Sequence, residues 1–520
     1  MNMRRSIIYY LIGFVAIVVV ILGLIYVGAN DDVQRYHQHL ETPSEADLDD
    51  CLYCNSALCT HLPLIIIDTF GAVIPGRPLA FGTGHYTDDE LLFTFHTTPE
   101  GEREIEAFVS VIDNPDSWNH IEDAPTHESS AMMRIRGNSS RFFDKPNYRL
   151  SLIYSDGENN HIPLLGMHPH FEWALHGPFL DKTLMRNYMW MNIAAEVMGP
   201  GQFVPEVRFF ELILNGEYQG VYVLMETIRV SPGRVSMNRY REGMPVTSYL
   251  ARFNATSSTD ERRINTFMSR TLRLESRNIM EVAYPRLPTQ NDDLREYVSR
   301  SISSTERVLY SPEILWYPGI YEQYIDLNSF VNFFIINEFI VNNDLWAGST
   351  YLHKDVRGRI VAGPVWDFNN VMNNFYFNLP ADRFILADRG WFDRLMMSET
   401  FTDRVIRRWH DLRRGVLAEE RLISYMYEVE DWLGSAIDRN YEVWGYSFDP
   451  SQVSLMARRR PTYEEAAEGL TIFDLNPSNF EEAMEWMQDY TIARGRWLDS
   501  YIETLRQFSH PSRHALWTLQ

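Results

Sequence analysis

The sequence predicts an α+β chain, β-rich in its N-terminal half and mostly helical in its C-terminal half, preceded by one transmembrane helix. Three observations carry that expectation. Apolar and polar residues alternate through residues 131–154 and 207–228, the period of strands with one buried face. After Tyr321 the apolar spacing turns helical, starting with a segment that is apolar nearly all round and so belongs deep in a core. Residues 7–27 form an unbroken apolar run, which at about 1.5 Å per residue just crosses roughly 30 Å of hydrocarbon.

Arg4 and Arg5 precede that run, and Asp31 and Asp32 follow it. The positive-inside tendency therefore leaves the N-terminus cytoplasmic and the bulk of a single-pass membrane protein extracytoplasmic, at a cell surface or in a secretory lumen. A cleaved signal peptide is the competing reading, although its apolar core normally runs only about 7–15 residues. Residues 1–31 are then tip and anchor, and 32–61 an acidic juxtamembrane stalk. The stalk ends in Cys51, Cys54 and Cys59, followed by His61. This spacing offers four soft ligands to zinc. It equally offers one intrachain disulfide and a spare thiol that could link two chains as a dimer, which suits an extracytoplasmic site better.

Residues 62–235 are read as the β-rich part. A β-branched run at 64–67 predicts a buried strand, and 131–154 predicts two strands around a polar turn with Gly137, Asn138, Ser139, Ser140 and Lys145. Backbone N–H groups in such a turn can face an anion. Asn215-Gly216 between two alternating runs is the strongest short hairpin signal. Between these pairs, Asp181 can cap a helix whose Leu184, Tyr188, Met191, Ala195 and Met198 share one buried face, with Gly199 closing it. Residues 236–320 read as connecting structure, partly helical. Residues 321–520 are helical, with Asp326 as the first cap and further helix at 400–440 and 477–507.

Composition removes several classes of function. The 47 Lys and Arg against 70 Asp and Glu leave a net charge of −23, which opposes the phosphate neutralisation that a nucleic-acid partner needs. Three cysteines cannot staple 520 residues, and 45% hydrophobic content excludes a disordered chain.

The most informative window is residues 337–374. A very apolar helix empties into Asn342-Asn343-Asp344, and a hairpin-like piece turning at Arg357-Gly358 delivers Trp366-Asp367-Phe368-Asn369. Asp344 and Asp367 thus stand at the edge of apolar structure, where a carboxylate needs a cation or strong donors. Phosphoryl transfer uses such a pair, one carboxylate to orient the attacking hydroxyl and one to hold the metal. The ordinary reading is two turn-forming aspartates.

Four segments in order, MRIRGNSSRFFDKPNYRLSL, WALHGPFLDKTLMRNYMWMNIAAEVMG, LILNGEYQGVYVLMETI, and NEFIVNNDLWAGSTYLHKD through GPVWDFN, resemble the CotH kinase family, relatives of spore coat protein H. The resemblance implies a protein-kinase-like bilobal fold that transfers the γ-phosphoryl of ATP, with Mg²⁺ or Mn²⁺, to Ser or Thr of a protein substrate. It implies Asp344 as the catalytic-loop aspartate and Asp367 as the metal-binding one, with Asn369 beside it. It places Arg136, Lys145 and Arg149 in phosphate-facing strands, Glu226 at the hinge between lobes or paired with a cation, and Trp366 against the cofactor. Asp181 and Arg186 match as well, and capping with a structural ion pair explains them. The family usually reads Trp-Asp-Phe-Asp, so Asn369 removes one negative charge. Ser349 stands where protein kinases carry a metal-binding Asn. These departures keep a second reading open, an inactive pseudokinase that serves as a surface or coat scaffold.

Overall fold

In the computed structural model the described residues are 35–49, 51, 58–83, 85, 88–254, 262–271, 279–286, 292–317, 319–345, 348–374 and 379–510. Seven strands close into a barrel: β1 (Leu64–Asp68), β2 (Ile105–Ile112), β3 (His127–Arg136), β4 (Asn147–Ile153), β5 (Glu172–His176), β6 (Val207–Leu214) and β7 (Glu217–Glu226). Their order is β1-β2-β3-β4-β5-β7-β6, and the parallel pairing of β1 with β6 closes the ring. Inward residues alternate along β3, where Ala131, Met133 and Ile135 are buried, and they meet Leu150, Leu152, Trp173 and Leu224 inside. The β6–β7 turn is Asn215-Gly216 with φ of 53° and 79°, a left-handed pair that Asn-Gly adopts at little cost.

Helix α1 (Arg186–Met198) leaves the barrel after β5. The Asp181 carboxylate accepts the Arg186 backbone N–H at 2.7 Å, and Gly199 ends the helix with φ of 80°. Sequence spacing predicts burial of one face only. Instead the helix is buried nearly all round, because Arg186, Asn187 and Asn192 all find partners inside. The region expected as connecting structure supplies β8 (Tyr249–Asn254), β9 (Arg263–Ile264), β10 (Ile279–Tyr284) and helix α2 (Asp292–Leu309). With β11 (Thr350–Lys354) and β12 (Val361–Ala362) they make a second, five-stranded sheet.

Helix α3 (Leu327–Phe339) runs through the centre of the largest core, and Asp326 caps it by accepting the Ser329 N–H at 2.8 Å. Helices α4 (Glu399–Arg413) and α7 (Phe480–Tyr501) pack against it, α5 (Glu419–Leu433) packs on α7, and α6 (Ser435–Trp444) lies against β7 of the barrel. A buried ion pair, Arg494 to Glu338 at 2.5 Å, joins α7 to α3.

Two expectations are corrected. The β-rich part is a closed seven-stranded barrel with a separate five-stranded sheet, because apolar β1 finds a parallel partner in β6 and leaves no open edge there. Among the described residues no helix is long and apolar enough to cross a membrane, so the expected transmembrane helix and single-pass membrane placement are not supported. The run at 7–27 on which they rested lies outside the described residues. Residues 35–49, expected as a stalk, lie as a strap along the body. Gln38 exchanges two hydrogen bonds with the Phe209 backbone, His39 meets Tyr188, and Glu45 takes the Ser435 N–H.

Candidate functional site

A cavity of about 420 Å³ opens at the end of the barrel where β3 gives way to β4 and the chain following α3 comes against it. That is a size suited to a small-molecule ligand. Its walls include Arg136 and the 137–140 turn from the barrel, His176 from the end of β5, Asn187 from α1, and Asp344, Ser349, Trp366, Asp367 and Asn369. The turn needs its glycine. Gly137 has φ of 108°, and a Cβ there would stand 1.8 Å from Ser140 Oγ.

Asp344 lies five residues beyond the end of α3, and burial alone pushes its carboxyl above the ordinary range. Asp367 sits half-buried with left-handed backbone, φ 69°, at the start of a short turn of helix over Phe368–Asn370. Its carboxyl is pushed up to about 6. Burial is the largest cause, and the charge of Asp344 adds to it; Arg136 and the Ser349 hydroxyl, which donates to Oδ2 at 3.3 Å, oppose it. Two carboxylates thus share one hollow without enough positive charge to satisfy both. The Arg136 guanidinium lies over the Trp366 ring at 5.2 Å, which aims a cation at the same space. Asn187 Oδ1 accepts the Phe368 N–H at 2.9 Å and so ties the turn behind Asp367 to α1.

Asn369 is 8% exposed, and its Oδ1 has no hydrogen-bond partner. A buried amide oxygen without a donor, beside a carboxylate held above its usual range, is the surrounding that a hard divalent cation fits, since such ions take oxygen ligands. Asp367 and Asn369 are the residues that would hold it.

Of the residues singled out in the sequence, Asp344, Asp367, Arg136, Trp366 and Asn369 meet at this cavity, whereas Lys145, Arg149 and Glu226 do not line it. Lys145 is fully buried, and its ammonium donates to the Val221 carbonyl and Asn440 Oδ1, each at 2.6 Å. Burial lowers its pKa well below the ordinary value, and its protons are spent on clamping α6 to the barrel. Arg149 is bound by Glu172 at 2.6 Å and Glu104 at 2.7 Å. Glu226 accepts the Glu206 N–H at 2.9 Å and lies 3.7 Å from Arg234; burial pushes its carboxyl up to about 7. All three positions serve the barrel wall.

His176 and Asn187 were not foreseen. His176 is buried with Nε2 unpartnered, and burial drives its pKa down to about 3, so a neutral imidazole faces the cavity. The sequence signal was slight, one histidine before a glycine at a strand end. Among the described residues of the cysteine cluster, only His61 departs from the expected ligand set. His61 turns to Glu45 at 3.4 Å, and Cys54 lies outside the described residues.

A β-barrel and a helical body meet around paired aspartates and an arginine. Comparison with protein families supplies the class, an atypical kinase-like protein: residues 133–498 match the family model described as CotH kinase protein, and the chain belongs to the CotH kinase family. No curated protein matches it.

Proposed function

We propose that this chain transfers the γ-phosphoryl of ATP to Ser or Thr hydroxyls of a protein substrate. The observation that carries the reading is the pair of aspartates sharing one cavity, the inner one held up near pH 6. Asp344 accepts the proton of the attacking hydroxyl as its oxygen bonds to phosphorus and the bond to the departing ADP oxygen breaks. Arg136 meets the phosphate charge from the barrel side of the cavity, and the 137–140 turn can add backbone N–H groups beside it. Asp367 and Asn369 would hold a divalent cation, which would supply charge neutralisation for the phosphates. His176, neutral and unpartnered, adds one hydrogen-bonding nitrogen without adding charge.

The test is transfer of label from ATP to Ser-rich peptides by the full chain with Mg²⁺ or Mn²⁺. Asp344→Asn is expected to reduce transfer by about 10²–10⁴-fold, the usual contribution of a positioned base. Undiminished transfer in that variant overturns the assignment. Asn369 favours a second reading, because one carboxylate fewer weakens metal binding. ATP binding with no transfer to any acceptor would select a nucleotide-dependent scaffold.

A further inference from the structure

A second cluster lies away from the cavity. The two-residue strand Cys59–Thr60 pairs with Asn119–His120, and the register sets Cys59 opposite His120. Cys51 comes to the same place from the end of the strap, with its sulfur 3.1 Å from His120 Nε2. Its approach is fixed by Trp118, whose indole N–H donates to the Asp49 carbonyl at 2.8 Å. The two sulfurs and one imidazole nitrogen all lie within 4.8 Å of one another. Tetrahedral zinc with Zn–S near 2.3 Å and Zn–N near 2.0 Å needs donor separations of about 3.5–3.8 Å, so the three atoms close on one ion with shifts below about 1 Å.

The orientation of the imidazole strengthens the case. His120 Nδ1 faces Asp123 Oδ2 at 3.3 Å, and the same oxygen accepts the His120 backbone N–H at 2.9 Å. Asn114 Nδ2 donates to that carboxylate oxygen as well. A proton held on Nδ1 by Asp123 leaves the Nε2 lone pair directed at the sulfurs, the carboxylate–histidine–metal arrangement in which the outer carboxylate sets the tautomer.

We propose that Cys51, Cys59 and His120 bind a zinc ion that fastens the N-terminal strap to the barrel. The ion joins the end of the strap, the segment leading into β1 and the connection between β2 and β3. Two thiols lose their protons on binding, and the fourth tetrahedral position remains for water or a further donor. The strap then owes part of its docking to the metal, in addition to the Gln38–Phe209 and Glu45–Ser435 hydrogen bonds.

The experiment is metal analysis of the full chain after zinc loading and dialysis, together with the absorption spectrum of the cobalt-substituted wild type. The expected result is one zinc per chain and a thiolate-to-cobalt charge-transfer band. Zinc should be lost in Cys51→Ser, Cys59→Ser and His120→Gln and kept in His61→Gln. Asp123→Asn should weaken zinc about 10–100-fold against a competing chelator, the usual effect of removing an outer partner. The cobalt spectrum needs no variant, so a misfolded mutant does not leave the question open. A metal-free wild type, zinc retained without His120, or Cys51 joined to Cys59 as a disulfide would each overturn the proposal.

Discussion

Replacing Asp367 by Asn should make the metal-free protein more stable while removing its activity. The Asp367 carboxyl rises from an ordinary 3.8 to about 6 on folding. A group whose folded pKa is raised favours the folded state fully below the unfolded value, and that contribution is lost as pH rises through the folded value. For Asp367 the loss runs from about pH 4 to about pH 6. Above that window the folded chain holds a carboxylate that burial and Asp344 disfavour, at a cost of about 3 kcal/mol for some two pKa units at 1.36 kcal/mol each. The amide of Asp367→Asn resembles the protonated acid and carries no such cost. With an unfolding entropy of about 2.1 cal/mol/K per residue, 520 residues turn that difference into roughly 3 °C of midpoint. Thermal unfolding in chelator should therefore place the variant above the wild type at pH 7.5, and the gap should close at pH 4. Adding Mg²⁺ or Mn²⁺ should raise the wild type only, since the bound ion takes the charged carboxylate. A variant less stable than the wild type at pH 7.5, or a gap independent of pH, would refute the electrostatic reading of the cavity.

Further substitutions probe the neighbouring cations and the brace behind the site. Arg136→Gln removes a charge-assisted contact worth about 1.5–3 kcal/mol, so KM for ATP should rise about 10–100-fold, whereas Lys145→Met should hold KM within about twofold and lower the thermal midpoint. Equal KM effects in steady-state kinetics would return the phosphate contact to Lys145. Arg494→Met leaves the buried Glu338 carboxylate without its ion pair and should cost about 3–5 kcal/mol in thermal unfolding, while Glu338→Gln with Arg494→Met should recover most of it. A loss below about 1 kcal/mol in the single variant would mean that the backbone N–H groups of Ile385 and Leu386 satisfy Glu338 alone.

What the sequence disclosed follows from the range of the interactions involved. The Asn215-Gly216 hairpin and the Asp326 cap are settled within four residues, and both are legible. Asp344 and Asp367 are legible as a pair because each ends an apolar stretch. Barrel closure is not, since β1 and β6 pair across more than a hundred residues with no local mark of it. The destination of a strand cation is equally hidden. Arg136, Lys145 and Arg149 look alike in one motif, yet the carboxylates awaiting Arg149 come from Glu104 and Glu172, and the acceptors awaiting Lys145 from Val221 and Asn440. The strap was misread for the same reason. His37, Gln38 and His39 suggest solvent, but each meets a buried partner supplied by a distant helix or strand.

The strain in the backbone is concentrated where the aspartates stand. Nine non-glycine residues among those described have positive φ, and five of them, Val341, Ser349, Asp367, Met372 and Asn373, fall between 341 and 373. Such conformations cost of order 1–3 kcal/mol each and persist only where the surroundings over-determine them. A set of hydrogen bonds and ion pairs braces them. Asp181 holds Arg186, Arg186 reaches the Val371 carbonyl at 3.3 Å, Asn187 holds Phe368, and Glu338 with Arg494 anchors the helix that feeds Asp344. Of these braces only Asn187 lines the cavity, yet together they keep two like-charged groups and an unpartnered amide oxygen facing one hollow. A fold shaped for stability alone would replace either aspartate with a neutral residue and relax the turn around it. The arrangement is intelligible if the missing favourable interaction is made by what the cavity binds, which is why a divalent metal should stabilise the wild type and leave Asp367→Asn unmoved.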